Sequence, residues 1–303
     1  MGNVSLIGFP DSLGSYAAGQ EQAPAALRAA GLVEALVSAG MEVHDAGDLP
    51  IRTWKPDHRR PYAQNVEQVV TGLQELRHRL GPLLQTDGLV LVVGGNCTIA
   101  LAVMAALRDL GSAVPGLLYF DRNYDLNTPD TTTDGALDWM GLAHGLALPG
   151  CVDELVDAFG YSPLLRPDEV AWVGVDPVFA TEWERQQAAT LQLHVRSSEQ
   201  FAADPSGTTA SGLGVLPPGP LAIHVDVDVL NFTDAPLAEN TDGRNTGPTL
   251  DQLGAALRLA AADPRLRVFS IGELNPTRAA GDPDAIARFV SVISAALAAA
   301  ARS

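Results

Sequence analysis

Two stretches of the sequence place carboxylates where an apolar run gives out. In Leu118-Tyr-Phe-Asp-Arg-Asn-Tyr-Asp-Leu-Asn-Thr-Pro129, Asp121, Asn123 and Asp125 follow at alternate positions. An extended backbone would turn all three side chains the same way. In Leu221-Ala-Ile-His-Val-Asp-Val-Asp-Val-Leu230, Asp226 and Asp228 stand two apart on one face of an apolar strand. Carboxylates crowded on a buried face repel one another and resist desolvation, so something must compensate them. A divalent metal ion does so, and carboxylates around such ions are the hardware for activating a water molecule. The competing account has the aspartates capping helices or accepting loop amides, which explains one of them more easily than four.

Two further strand exits carry reactive groups. Leu91-Val-Val-Gly-Gly-Asn-Cys-Thr98 runs from a buried strand through two glycines into a helix, with Cys97 near the helix amino end. The dipole there favours a thiolate, while an apolar helix behind it favours burial as a small hydrophobe. Val268-Phe-Ser-Ile-Gly-Glu-Leu-Asn-Pro276 places Glu273 at a fourth exit, as base, substrate anchor or loop acceptor.

The elements that must hold these groups alternate along the whole chain. Strands are expected near Val4–Phe9, Glu42–Asp45, Gly88–Gly94, Pro115–Phe120, Glu169–Val175, Leu191–Arg196, Leu221–Val229 and Arg267–Ile271. Amphipathic, alanine-rich runs between them predict helices at Ala23–Ala39, Asn65–Leu84, Thr98–Leu110, Asp153–Phe159, Thr181–Ala189, Leu250–Ala262 and Asp284–Ala301. Glycine and proline clusters, Pro205–Gly214 among them, read as loops. The expected fold is a three-layer αβα arrangement around a mostly parallel sheet, one domain over residues 1–303, with ligands outside the carboxyl ends of the strands.

Composition narrows the partners. A net charge of −17 and a pI near 4.5 repel nucleic acid. No apolar run is long enough to span a membrane, and no secretory signal is read at the amino end. Two widely spaced cysteines, Cys97 and Cys151, give no disulfide framework and fit a reducing cytoplasm. A small molecule and a metal ion are the expected partners.

Taken in order, these segments resemble the arginase/agmatinase (ureohydrolase) family over essentially the whole chain. Ile7-Gly-Phe-Pro10, Gly19-Gln-Glu-Gln-Ala-Pro-Ala-Ala-Leu-Arg28 and Asp45-Ala-Gly-Asp48 are similar to the family's opening strand and helix entry. Gly94-Gly-Asn-Cys-Thr98 stands where the family has Gly-Gly-Asp-His-Ser, and Asp121-Arg-Asn-Tyr-Asp125 where it has Asp-Ala-His-x-Asp. Asp226-Val-Asp228 and Glu273-Leu-Asn-Pro276 match its last two motifs. The resemblance implies a first manganese site of Cys97, Asp121, Asp125 and Asp226, and a second of Asp121, Asn123, Asp226 and Asp228. Cys97 and Asn123 replace histidines in these sets, so every ligating carboxylate is kept and both imidazoles are gone.

Such a donor set weakens a manganese pair. Its oxygen-rich second site suits magnesium or calcium, the thiol favours zinc or iron, and an empty site is the alternative. The resemblance also places Asp138 where arginases carry a proton-shuttling histidine and keeps Glu273 as the substrate's guanidinium partner. With Asp125, these are the candidate catalytic groups. Asn127, Thr132, Asp134 and Asp176 fall at the positions that hold the amino-acid head group. Asp134 replaces a serine there and disfavours an α-carboxylate, so a decarboxylated or modified cationic substrate, or an amide-bearing one, is expected. His144 reads as a packed histidine, with a replacement base as the alternative. Covalent catalysis by Cys97 needs a base that the sequence does not identify.

The expected activity is hydrolysis of a C–N bond in a small guanidino, amidine or amide compound at an altered metal site. The alternative is a catalytically silent or metal-free protein of the same fold that binds a small cation or a partner subunit. The resemblance implies a homo-oligomer, trimer or hexamer.

Overall fold

The computed structural model describes residues 2–111 and 113–299. All eight expected strands are present: β1 (Asn3–Gly8), β2 (Glu42–Asp48), β3 (Leu89–Val93), β4 (Gly116–Phe120), β5 (Val170–Val175), β6 (His194–Ser197), β7 (Leu221–Asp226) and β8 (Leu266–Gly272). They form one sheet in the order β2-β1-β3-β8-β7-β4-β5-β6, every pairing parallel. The inner strands β3, β4, β5 and β7 are buried at every residue, as near-continuous apolar runs must be when helices cover both faces. The edge strands β2 and β6 carry the mixed polar residues that an exposed edge tolerates.

Eleven α-helices accompany the sheet among the described residues: α1 (Ala23–Ala29), α2 (Leu32–Ser38), α3 (Val66–Leu84), α4 (Ile99–Asp109), α5 (Gly141–Gly145), α6 (Asp153–Val156), α7 (Glu182–Thr190), α8 (Ser198–Ala203), α9 (Pro205–Val215), α10 (Leu250–Ala261) and α11 (Ala285–Leu297). Leu27, Leu36, Phe201, Leu257 and Phe289 bring α1, α2, α8, α10 and α11 to one core. Leu73, Leu80, Met104 and Leu142 bring α3, α4 and α5 to the other.

Three sequence expectations need correction. The helix expected over Ala23–Ala39 is two helices, because Gly31 takes a left-handed φ of 86° between them. The loop expected at Pro205–Gly214 is α9, started by Asp204, whose carboxylate accepts the Gly207 amide at 2.9 Å, with proline next in line. Gly212 suits that helix, since a Cβ there would stand 2.9 Å from Leu118 Cδ1. Helix α11 ends at Leu297, and the last residues of the helix expected to Ala301 lie outside the described residues.

The order β3-β8-β7-β4 has a functional consequence: the four strands whose exits carry Cys97, Glu273, Asp226 and Asp121 are neighbours at the centre of the sheet. Their carboxyl ends therefore open into one place.

Nearby, Asp11 is buried with Oδ2 unpartnered and Arg52 Nη1 4.0 Å away. Burial outweighs that distant guanidinium and pushes the carboxyl pKa from 3.8 up to about 7. A raised folded-state value means stability that is present below pH 3.8 and lost as pH rises through about 7. Asp11→Asn should flatten that fall, so urea midpoints of variant and wild type should agree near pH 4 and favour the variant at pH 8. A larger wild-type midpoint at pH 8 would contradict the assignment.

Candidate metal centre and active site

The turn after β3 is built on glycine. Gly94 and Gly95 have φ of 93° and 82°, and added Cβ atoms would stand 2.6 Å from Pro24 Cδ and from Phe9 Cδ1. This turn delivers Cys97 to the amino end of α4, where its amide donates to Glu273 Oε1 at 3.2 Å. Gln20 Nε2 donates to the other oxygen of Glu273 and reaches Ser15 Oγ at 3.2 Å.

The aspartates converge, although not along extended strands. Strand β4 ends at Phe120, and the chain then bends so that Asp125 sits in the left-handed region with φ 55°. Strand β7 ends at Asp226, whose Oδ1 accepts the Asp228 amide at 2.6 Å across a tight turn. The sequence expectation of side chains aligned by strand alternation is corrected on both counts: turns, held by the carboxylates themselves, bring the groups together. Asn123 Nδ2 donates to Asp228 Oδ2 at 2.8 Å, and Tyr119 Oη donates to Asp125 Oδ2 at 2.5 Å. Cys97 Sγ lies 3.1 Å from Asp226 Oδ2 and 3.8 Å from Asp121 Oδ2. These three ligand atoms lie within 4.8 Å of one another, the arrangement that could hold a metal ion.

Charge is concentrated here without pairing. Among the described residues no Lys, Arg or His forms an ion pair with Asp121, Asp125, Asp226, Asp228 or Glu273. Burial raises the pKa of Asp121, Asp125, Asp226 and Glu273 well above the carboxylate range, and mutual repulsion adds to it. Burial raises Asp228 as well, but the Arg122 guanidinium opposes the rise.

Sequence reading missed one member of the cluster. His224 on β7 reaches across β8, its Nε2 3.3 Å from Cys97 Sγ and its Nδ1 2.9 Å from Ser270 Oγ. The crossing is open because residue 272 is glycine: a Cβ there would stand 3.1 Å from the imidazole Cε1. The Tyr119 ring stacks on the imidazole at 4.9 Å. A visible signal existed, since His224 and Asp226 share a face of one strand. Burial lowers the His224 pKa to about 3, and burial together with Asp226 and Asp121 raises the Cys97 thiol. The imidazole is thus the base-like neighbour that Cys97 lacked in the sequence, but both groups are held neutral.

The remaining candidates are dispersed. Asp138 is buried with Oδ1 accepting the Trp139 amide and Oδ2 without a partner; burial raises its pKa well above the usual range. Asn123, Asn127, Thr132 and Asp134 line a cavity of about 170 Å³ together with Trp139, Phe179 and Asp242. Asp134 takes the indole N–H of Trp139 at 3.1 Å. Asp176 is not among the cavity's lining residues; it accepts the Val178 amide at 3.1 Å within its own turn. His144 is fully engaged with backbone, Nδ1 at 2.8 Å from the Met140 carbonyl and Nε2 accepting the Val152 amide at 3.1 Å, which is the packed role.

Comparison with known proteins gives a consistent picture. The family model described as "Arginase family" matches residues 2–300. The chain is similar to arginase of Bacillus subtilis (strain 168), 31% identical over 171 residues, 56% of this chain and 56% of that protein. The sequence match therefore spans little more than half the length of that relative. In fold it is similar to arginase from Bacillus caldovelox, with a TM-score of 0.84 at 24% identity over 99% of this chain and 98% of that one. It is also similar to Trypanosoma cruzi formiminoglutamase with Mn2+2, with a TM-score of 0.73 at 16% identity over 99% and 93%.

Proposed function

The chain belongs to the arginase family, and from that premise we propose that it hydrolyses a C–N bond in a small guanidino, amidine or amide compound, using a divalent ion at an altered metal site. The observation that carries this reading is the convergence of Cys97 Sγ, Asp121 Oδ2 and Asp226 Oδ2 at the exits of central strands. The donor set fits a cation. Two acidic oxygens and a sulfur, buried without any ion pair, hold protons when alone and release them to a cation placed between them. A divalent ion bound there supplies Lewis acidity and lowers the pKa of water toward neutrality.

The chain's own residues divide the remaining work. Glu273, fixed by Gln20 and the Cys97 amide, faces the cluster and anchors the cationic end of the substrate. Burial raises the Asp138 pKa and so favours its acid form, and its free Oδ2 is the atom from which a leaving amine can take a proton. The cavity beyond Asn123 joins the carboxylates of Asp134 and Asp242 to the rings of Trp139 and Phe179. Such a lining receives alkylammonium or amidinium groups and repels a free carboxylate.

L-arginine should therefore be a poor substrate and agmatine a better one, by about tenfold or more in kcat/KM. Asp134→Ser should narrow that preference by about the same factor. Urea and ammonia release is measured on protein loaded in turn with manganese, magnesium, zinc or cobalt. Absence of both metal uptake and product with every guanidino, amidine or amide compound tried would leave the silent reading standing. Family membership also leads us to propose a homo-oligomer, trimer or hexamer, measurable by light scattering, and a cytoplasmic location. No described helix is long and apolar enough to cross a membrane.

A further inference from the structure

We infer that the centre is built for one thiophilic divalent ion, held by Cys97, Asp121 and Asp226, and that the place of a second ion is taken by groups of the chain itself, Arg122 and Asn123. This deepens the reading above and rests on its premise that a divalent ion binds here.

Most carboxylate oxygens of the cluster are already engaged by the chain. Asp226 Oδ1 accepts the Asp228 amide at 2.6 Å, and Asp121 Oδ1 accepts the Asn123 amide. Asp125 Oδ2 takes the Tyr119 hydroxyl. At Asp228 both oxygens are engaged: Oδ1 accepts the Arg122 amide at 3.2 Å and Oδ2 the Asn123 side-chain amide at 2.8 Å. Asp121 Oδ2, Asp226 Oδ2 and Asp125 Oδ1 take no amide or hydroxyl, and of these Asp121 Oδ2 and Asp226 Oδ2 are the two turned to Cys97 Sγ. Three protein donors with an open fourth position are the pattern of catalytic zinc sites.

A second, separate observation points the same way. Asp138, 3% exposed, keeps an Oδ2 with no partner, an orphaned buried oxygen of the kind that a bound ion or water satisfies.

The outer end is already provided for. Arg122 is 2% exposed, and its guanidinium is held by the carbonyls of Leu230, at 2.9 Å, and Asp242, not by a carboxylate. Its charge is therefore not neutralised by a carboxylate, and its own amide ties the Arg122 backbone to Asp228. A dication beside Asp228 would meet that fixed charge and the N–H of Asn123. For Asn123 to ligate, it would have to turn its amide over, give up the Asp228 bond and offer a weak carbonyl.

Sulfur sets the preference at the inner end. His224 lies 3.3 Å from Cys97 Sγ and is itself tied to Ser270, so the imidazole orients the sulfur as an outer partner, in the way that metal ligands are commonly braced. Thiolate donors select zinc and cobalt over manganese.

The test uses the full chain stripped of metal and titrated with cobalt(II), followed by equilibrium dialysis and absorbance. One cobalt per chain with a near-ultraviolet sulfur-to-cobalt charge-transfer band is expected. Zinc should displace it, and manganese should bind at least about tenfold more weakly. Cys97→Ser should lose the band, and the double variant Arg122→Ala with Asn123→His should take up a second ion. Two ions per wild-type chain, one ion without the band, or none, would each overturn the inference. Product release is scored separately. One cobalt with the band but no hydrolysis upholds the inference and sinks the hydrolase reading, whereas two ions in an active enzyme do the reverse.

Discussion

Asp226→Asn is expected to raise the melting temperature of the metal-free chain while reducing metal-dependent hydrolysis by about a thousandfold or more. Both effects have one cause. Asp226 is buried beside Asp228 and Asp125, and burial followed by repulsion from Asp228 raises its pKa. Without a bound cation, its charge costs more than it returns. Asparagine keeps the shape and the acceptor that the Asp228 amide needs, and removes the charge. Relief of a buried charge of this kind is worth ~1–4 kcal/mol, or about 2–4 °C per kcal/mol for a chain of this size.

Metal should invert the ranking. Ligand at a hundred times its dissociation constant stabilises the native state by about 2.7 kcal/mol, and only the wild type retains all three donors. Thermal denaturation with chelator and with added zinc checks the pair of predictions. An asparagine variant that melts lower in chelator, or that still gains stability from zinc, would sink the account of the centre. The thousandfold loss follows the scale seen when a group that stabilises developing charge is removed.

Much of this was readable from the amino acids, and the part that was not has physical reasons. Runs such as Leu89–Val93 and Gly116–Phe120 declare buried strands because they are short, wholly apolar and bounded by turn residues, whereas the apolar run of α4 is about twice as long. Helix α9 escaped because Ser, Gly and Thr dominate it, and its reason for being helical is tertiary: a capped start and a glycine that fits against the sheet. The carboxylates were legible as a set, since three strand exits carry them and a fourth carries Cys97.

How they meet was not legible. Alternation on a strand is local, whereas the observed turns depend on Asp121 and Asp226 accepting amides two residues on. His224 required still more, because its partner Cys97 follows a strand two places away in the sheet, and only the order β3-β8-β7 and the glycine between them bring the two side chains together.

Trp172→Ala should be the most damaging single change to stability, and a milder variant should separate stability from the site. Trp172 on β5 is fully buried, and losing the indole leaves a large cavity, at a cost of about 3–5 kcal/mol. Its Nε1 also donates to the Tyr124 carbonyl at 3.1 Å, immediately before Asp125. That bond matters because Asp125 and Glu273 both occupy the left-handed region, at φ 55° and 65°, without being glycine. Such residues cost about 1–3 kcal/mol each and persist only where neighbours over-determine them. At Asp125 those neighbours include Trp172, through Tyr124, the Tyr119 hydroxyl, and the Ala143 amide, which donates to the Asp125 carbonyl at 3.0 Å. Trp172→Phe keeps most of the packing and deletes only the donor, so it should cost about 1–2 kcal/mol while weakening cobalt binding about tenfold or more, through the 121–125 turn that positions the ligand Asp121. Urea denaturation and the cobalt titration measure the two effects on the same samples. Unchanged cobalt affinity in the phenylalanine variant would show that the Asp125 turn holds itself and that Trp172 serves packing alone.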